Sequence, residues 1–184
     1  MVGAANAQVI DALRVPSSWP FRTAILTGPA RSGKSLLARW FVREGLGEAV
    51  DDAQQGEEAM LFHRWNRAQE QGVPLLLVAG QAPWSIGLPD LRSRLGAALQ
   101  LEIGAPDDAM AHDLILSLAA ERGLSLGEGA ADYLVPRASR SQADLERLVA
   151  MIDTLSLERK SAPTLGIWRA ALEAVHGPDD PRLL

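Results

Sequence analysis

Residues 23–35 read TAILTGPARSGKS, an apolar run that leads into a glycine-rich turn. The turn fits the pattern G-x-x-x-x-G-K-[ST], which begins at Gly28 and ends at Ser35. It also lies in the context that this pattern requires, between a strand predicted over residues 24–27 and a helix predicted over residues 36–43. This segment therefore predicts a phosphate-binding loop in an α/β domain with a parallel sheet.

The residue types in this loop suit the binding of phosphate. Gly28 and Gly33 allow the backbone to curl, so that successive N–H groups point into one concavity at the positive end of the helix dipole. Lys34 brings an ammonium group to the β- and γ-phosphates, and the Ser35 hydroxyl can bind the Mg²⁺ that bridges them. The predicted nucleotide-binding residues are Gly28, Pro29, Ala30, Arg31, Ser32, Gly33, Lys34 and Ser35. The alternative is a glycine-rich turn that binds nothing.

Composition excludes several other classes of protein. Hydrophobic residues make up 47% and charged residues 22% of the chain, values typical of a folded globular protein. The absence of cysteine excludes disulfides, iron–sulfur clusters and thiolate zinc sites, and the three histidines lack the spacing of metal ligands. The net charge of −5 provides no bulk field that would draw the chain onto DNA.

The sequence also bears on cellular location. No apolar run approaches the ~20 residues of a membrane-spanning helix, and the segment after Met1 lacks the basic and apolar regions of a signal peptide. We therefore expect a cytoplasmic protein with no membrane contact.

A phosphate loop also needs an acid at the end of a neighbouring strand to hold the metal ion. Asp51 and Asp52 are the paired carboxylates suitably placed in the first half of the chain. Asp51 would support Mg²⁺, and Asp52 would orient the attacking water. The alternative is that the pair caps a helix over residues 57–71. Only 17 positions separate Lys34 from Asp51, too few for a further strand and helix, so the sheet is predicted to have about four strands.

The character of the sequence changes near residues 104–106. Before this point three apolar runs predict strands over residues 23–27, 73–79 and 99–103. After it only helical patterns follow, with Asp107 and Asp108 placed to cap one helix and the segment at residues 139–141 placed to cap another. The predicted units are an α/β domain over residues 1–104, a helical bundle over residues 105–176 and a frayed tail over residues 177–184.

Several short motifs follow one another in a fixed order. In chain order they are VGAAN at residues 2–6, the loop at 28–35, VDD at 50–52, DLRSRL at 90–95, IGAPDD at 103–108 and DYLVPR at 132–137. This series resembles the AAA+ family of the bacterial replication initiator DnaA and, more closely, the shorter regulators of the Hda type. The resemblance covers nearly the whole chain. It implies an α/β fold, a P-loop AAA+ parallel sheet reduced to about four strands, with a C-terminal helical lid subdomain.

The resemblance also implies roles for individual residues. Asn6 would lie near the adenine of bound ATP or ADP, with Mg²⁺ held by Ser35 and Asp51. The catalytic residues would be Asp52 and Arg94, and Arg94 would be an arginine finger for a nucleotide on a neighbouring subunit. In Hda-type proteins that neighbour is ATP-bound DnaA, so the implied function is to regulate chromosomal replication initiation by promoting hydrolysis of DnaA-bound ATP. The alternative for Arg94 is a residue that only decorates a helix.

The chain departs from the family at two sensor positions. After the strand over residues 75–79 it has Gly80 and Gln81 where the family often has a polar sensor, and in the lid it has Ala143 where the family has an arginine. Gln81 could substitute weakly. These departures predict little or no intrinsic ATPase activity and a nucleotide, plausibly ADP, held as a structural ligand. Two other functions remain open: a non-hydrolysing adaptor stabilised by nucleotide, and an autonomous small P-loop NTPase.

The expected partner is the AAA+ domain of DnaA, and homo-oligomerisation remains open. No helix-turn-helix segment follows the lid, so we do not expect direct sequence-specific DNA binding. Nothing precedes Met1 that could supply the clamp-binding peptide of Hda-type proteins, so we do not expect binding to the sliding clamp.

Overall fold

The computed structural model describes residues 2–80 and 82–177. The described residues divide into two compact units, residues 4–104 and residues 105–177. The tail predicted over residues 177–184 lies outside the described residues except for Gly177. None of the helices in the described part of the chain is both long and apolar enough to cross a membrane.

The first unit alternates helices and strands. Its elements are α1 (Ala7–Leu13), β1 (Thr23–Thr27), α2 (Lys34–Arg43), β2 (Glu48–Val50), α3 (Glu58–Gln71), β3 (Leu75–Val78), α4 (Pro89–Gly96) and β4 (Leu99–Glu102). The four strands form one parallel sheet in the order β2-β3-β1-β4, with Ile25 in register with Leu77 on one side and Gln100 on the other. The reduced, four-stranded parallel sheet predicted from the sequence is confirmed.

Both faces of this sheet are covered, because side chains alternate between the faces along each strand. One face packs against α3 and α4 through a buried cluster that includes Ile25, Leu61, Trp65, Leu75, Leu77, Leu91 and Leu95. The other face packs against α1 and α2 through a cluster that includes Leu13, Ala24, Leu26, Phe41, Leu76 and Val78. The central strands β1 and β3 are consequently buried along their whole length, as expected in a parallel sheet.

The strand that precedes Asp51 is not the neighbour of β1 that the sequence analysis expected. It is β2, an edge strand, and β3 separates it from β1. The apolar run of β3 is fully buried, whereas β2 is only half-buried and begins with a charged residue. Burial therefore favours β3 at the centre, and the edge suits Glu48, which forms ion pairs with Arg64 and Arg67.

The second unit is helical. Its elements are α5 (Asp108–Glu121), α6 (Ala130–Leu134), α7 (Gln142–Glu158) and α8 (Leu165–His176). All four contribute to one apolar cluster, which includes Ile115, Leu134, Leu145, Leu148, Ile152, Ile167 and Leu172. Both segments that were predicted to cap helices do so: Asp107 Oδ1 accepts a hydrogen bond from Met110 N at 2.8 Å, and Ser141 Oγ accepts one from Asp144 N at 3.1 Å. Asp108 is instead the first residue of α5.

Candidate functional site

The segment between β1 and α2 curls at the carboxyl end of a central strand. Gly28 has a φ of +150°, Arg31 of +63° and Gly33 of +91°. Residues of alternating handedness turn successive N–H groups toward one side of the chain. Gly33 is also the N-cap of α2, whose first N–H groups have no acceptor within the helix. The segment therefore has the backbone conformation and the place at the positive end of a helix that suit an anion.

Gly28 allows a close approach of neighbouring segments. A Cβ atom there would lie 2.9 Å from Ile103 O and 3.2 Å from Ser32 Oγ. The N–H of Gly28 donates to Gly80 O at 3.1 Å, so the loop starts in contact with the residues that follow both β3 and β4. The Ser32 hydroxyl is buried and has no hydrogen-bond partner within the described ranges. An unpaired buried hydroxyl in this loop fits a bound anion.

Lys34 lies inside the curl. Its Nζ donates to Gly28 O at 2.8 Å and to Pro29 O at 2.6 Å. Burial lowers the pKa of the Lys34 ammonium from its usual value of 10.5, and the charges of Asp51 and Asp52 partly offset this shift. The structure therefore brings the predicted lysine and both predicted acids within electrostatic range of one another.

Asp51 and Asp52 follow the end of β2 and are exposed. Asp51 Oδ1 accepts a hydrogen bond from Asp52 N at 3.1 Å, and Asp52, with a φ of +48°, turns the chain into a short 3₁₀ helix over Ala53–Gln55. Helix α3 begins later and has Glu57 as its N-cap, so the alternative in which the pair caps this helix is wrong. Across residues 2–80 and 82–177, no group of three or more acidic, histidine or cysteine side chains could hold a metal ion alone.

Asn6 lies at the same edge of the sheet as the loop. It is the N-cap of α1, and the preceding Ala5 O accepts a hydrogen bond from Gly104 N at 3.0 Å. The N–H of Ile103, the residue against which Gly28 packs, donates to Thr27 O at 2.9 Å. The segment at residues 2–6 is thereby joined to the end of β4, next to the start of the loop.

Arg94 lies against side chains of α3. Its Nη1 donates to Asn66 Oδ1 at 3.0 Å, and its guanidinium carbon lies 4.7 Å from the ring centroid of Phe62 and 4.6 Å from that of Trp65. We call the rings of Phe62 and Trp65 the aromatic platform. Arg92 has other partners, since its Nε donates to Ile86 O at 2.7 Å. These contacts of Arg94 were not predicted from the sequence, although Phe62, Trp65 and Asn66 are spaced by three and four residues and so lie on one helix face.

Glu58, at the start of α3, holds the loop that leads into α4. Its carboxylate accepts hydrogen bonds from Gly87 N at 2.7 Å and from Leu88 N at 2.5 Å. These two bonds lower the pKa of Glu58 below its usual value of 4.5. No local pattern in the sequence pointed to this residue, because its partners lie about thirty positions further along the chain.

The structure describes one of the two positions at which the family has a sensor residue. Gln81 lies outside the described residues. Ala143 lies in the first turn of α7, where the nearby arginines form ion pairs, Arg140 with Asp108 at 2.7 Å and Arg147 with Asp144 at 3.2 Å.

Sequence comparison with known proteins finds limited similarity. No protein-family model matches the chain. An uncharacterized protein of Haemophilus influenzae is 29% identical over 111 residues, which are 59% of this chain and 48% of that protein. The match thus spans about half the length of this relative.

Structural comparison finds similarity over nearly the whole chain. Domain III of the Thermotoga maritima replication initiation protein DnaA has a TM-score of 0.74 at 15% identity, covering 96% of this chain and 95% of that one. The Thermotoga maritima RuvB Holliday junction branch migration motor has a TM-score of 0.69 at 18% identity, covering 97% and 73%. A replication initiator DnaA bound to AMPPCP and single-stranded DNA has a TM-score of 0.64 at 17% identity, covering 86% and 65%. The chain therefore has the AAA+ fold that these proteins share.

Proposed function

We propose that this chain binds an adenine nucleotide with Mg²⁺ at residues 28–35 and regulates the initiation of chromosomal replication. In this proposal it promotes hydrolysis of ATP bound to DnaA through Arg94. The observation that carries the nucleotide site is the curl of N–H groups at the start of α2, with the Lys34 ammonium inside it and the charges of Asp51 and Asp52 within range. The similarity to a DnaA structure bound to AMPPCP supports the class of ligand.

The residues of the loop fit a diphosphate. Lys34 would exchange its bonds to the carbonyl oxygens of Gly28 and Pro29 for bonds to phosphate oxygens. The Ser32 hydroxyl would gain the partner that it lacks among the described residues. Asn6 would lie near the adenine, because its segment joins the sheet beside Gly28.

Ser35 and Asp51 would hold Mg²⁺, which when bound neutralises charge on the phosphates. Asp52 would orient water. Two exposed carboxylates with few contacts of their own suit a cation that keeps several water ligands, as Mg²⁺ does. Little intrinsic hydrolysis is expected, because Gly80 offers no side chain at the end of β3.

The contacts of Arg94 suit an arginine finger that is positioned in advance. Asn66 accepts one of the five N–H donors of the guanidinium group, and the aromatic platform supports its plane. The other donors can bind the phosphate of a nucleotide on a partner. A planar fork held on aromatic rings loses little conformational freedom when it binds.

Calorimetric titration with ADP and Mg²⁺ tests the nucleotide site. We expect Lys34→Ala to remove measurable binding, because the only side-chain ammonium within the loop is lost. Lys160→Ala, at the chain's other lysine, is the matched control and should bind like the wild type. Equal affinity of Lys34→Ala and wild type would contradict the proposal and favour a fold that does not use nucleotide.

The proposed role of Arg94 is tested with DnaA loaded with radiolabelled ATP. Adding this protein should raise the rate of ADP formation, and the increase should be at least about tenfold smaller with Arg94→Ala. Arg94→Lys keeps the charge without the planar fork and should also be defective. Stimulation by Arg94→Ala equal to that by wild type would exclude the arginine as a finger.

A further inference from the structure

A glutamine that the sequence analysis did not single out faces the end of β3 beside the phosphate loop. We propose that Gln54 donates a hydrogen bond to the γ-phosphate of a bound nucleoside triphosphate, so that the site discriminates triphosphate from diphosphate. This inference rests on the proposed function and adds a specificity-determining residue to the same site.

Gly80 borders the phosphate loop at residues 28–35. The chain leaves β3 with Ala79 N donating to Leu26 O at 2.9 Å, and Gly80 O then accepts from Gly28 N at 3.1 Å. Ligands of open parallel α/β sheets bind at the carboxyl ends of the strands, where these two residues lie. Gly80 itself has no side chain, so it contributes only backbone groups at this point.

Gln54 lies beside Gly80, at the end of β3. A Cβ atom on Gly80 would lie 3.6 Å from Gln54 Nε2, an ordinary van der Waals distance. The amide of Gln54 therefore lies next to the position from which a side chain on Gly80 would extend. This amide takes part in none of the hydrogen bonds within the described ranges, and so its donors are available to a ligand.

Gln54 is the middle residue of the short 3₁₀ turn at Ala53–Gln55. The turn is held by Ala53, which is 1% exposed, and by the bonds from Gln55 N to Asp52 O at 2.9 Å and from Gly56 N to Ala53 O at 3.2 Å. Asp51 and Asp52 open the same turn and act electrostatically on Lys34. One hydrogen-bonded turn thus carries the two carboxylates that act on Lys34 and the amide that lies beside Gly80, the residue bonded to the start of the loop.

The chemistry of the amide makes the effect selective. A glutamine NH₂ group donates two hydrogen bonds and carries no charge, so it can bind an anionic oxygen without disturbing the neighbouring carboxylates. A diphosphate has no oxygen at the γ position, and its affinity should not depend on Gln54.

Titration calorimetry with ADP and with AMPPCP, both with Mg²⁺, tests the proposal in the full chain. We expect Gln54→Ala to weaken binding of AMPPCP about tenfold and to leave ADP affinity unchanged, since a hydrogen bond to a charged group is lost only with the triphosphate. Gln54→Glu should weaken AMPPCP binding further, because a carboxylate would face the γ-phosphate.

Gln55→Ala and Gln55→Glu are the matched controls, because Gln55 is the next residue of the same turn and is exposed. Gln55→Glu adds the same negative charge as Gln54→Glu. Both should bind the two nucleotides like the wild type. The inference is overturned if Gln54→Ala changes the affinities for ADP and AMPPCP equally or changes neither, or if Gln54→Glu binds AMPPCP as well as Gln55→Glu does. A wild type that binds neither nucleotide would instead refute the proposed function, and the inference with it.

Discussion

Two glycines of the first unit show how local backbone geometry decides the effect of a single methyl group. Gly28 has a positive φ and close contacts to Ile103 and Ser32. Gly96, the last residue of α4, has no atom within 4 Å of the position of an added Cβ and no positive φ. The two positions therefore differ in both space and conformation, although each is a glycine at the end of a regular element.

We expect Gly28→Ala to lower the free energy of unfolding by roughly 1–3 kcal/mol, because the backbone is strained for alanine and the Cβ meets a carbonyl oxygen. Gly96→Ala should raise it by about 0.5–1 kcal/mol, because alanine reduces the conformational entropy of the unfolded chain. Urea denaturation measures both changes. Equal stability of the two variants would contradict the described geometry of the loop.

At the scale of secondary-structure elements, α3 organises the part of the unit that carries Arg94. Its first turn holds the loop before α4 through Glu58, and its middle provides the aromatic platform. Arg92 adds hydrogen bonds from α4 to Ile86 O and Gly87 O of the same loop. The position of Arg94 is therefore set by contacts between two helices that are separated in the chain by β3.

The role of Glu58 predicts a dependence of stability on pH. Because its pKa is lower in the folded chain than in the unfolded chain, its ionised form stabilises the fold above the unfolded pKa of about 4.5. This contribution should be lost as the pH falls below that value toward the folded pKa. Glu58→Gln should thus be less stable than wild type at pH 7, and the difference should shrink at pH 3.

Urea denaturation of both proteins at several pH values measures this effect. Glu57→Gln is the matched control, since its neighbouring carboxylate is exposed and caps α3 without a side-chain hydrogen bond. It should match the wild type throughout. A difference between Glu58→Gln and wild type that stays constant with pH would contradict the role of the ionised carboxylate.

Strand β1, helix α2 and the helix caps show what local sequence patterns can predict at this scale. Strand β1 occupies the apolar run at residues 23–27 that predicted it, and helix α2 begins only two residues before its predicted start. Asp107 and Ser141 cap helices within the two segments where caps were predicted. Each depends on neighbouring residues alone, whereas the place of β2 at the sheet edge depends on which strand buries more apolar surface.

At the scale of the whole molecule, the described residues bury their apolar side chains in separate clusters. Ile25 belongs to a cluster on one face of the sheet, and Ile152 belongs to the cluster of the helical unit. The two side chains share no cluster. Changes at the two positions should therefore act independently.

We expect Ile25→Val and Ile152→Val each to lower the free energy of unfolding by about 0.5–1.5 kcal/mol, the usual cost of one buried methylene group. The double variant should equal the sum within about 0.5 kcal/mol. Chemical denaturation of the four proteins measures the coupling. A coupling free energy above about 1 kcal/mol would show that the two clusters are linked.

The sequence by itself predicted the glycine-rich turn between β1 and α2, the sheet of about four strands and the change from an α/β segment to a helical one. These follow from the conformational freedom of glycine, the spacing of apolar residues and the length of chain between Lys34 and Asp51, all of which act over short distances. Only the tertiary structure decided that β3 lies between β1 and β2, that Arg94 rests on Phe62 and Trp65, and that Gln54 lies beside Gly80. Such contacts join residues far apart in the chain, and the packing of all the apolar faces together selects them.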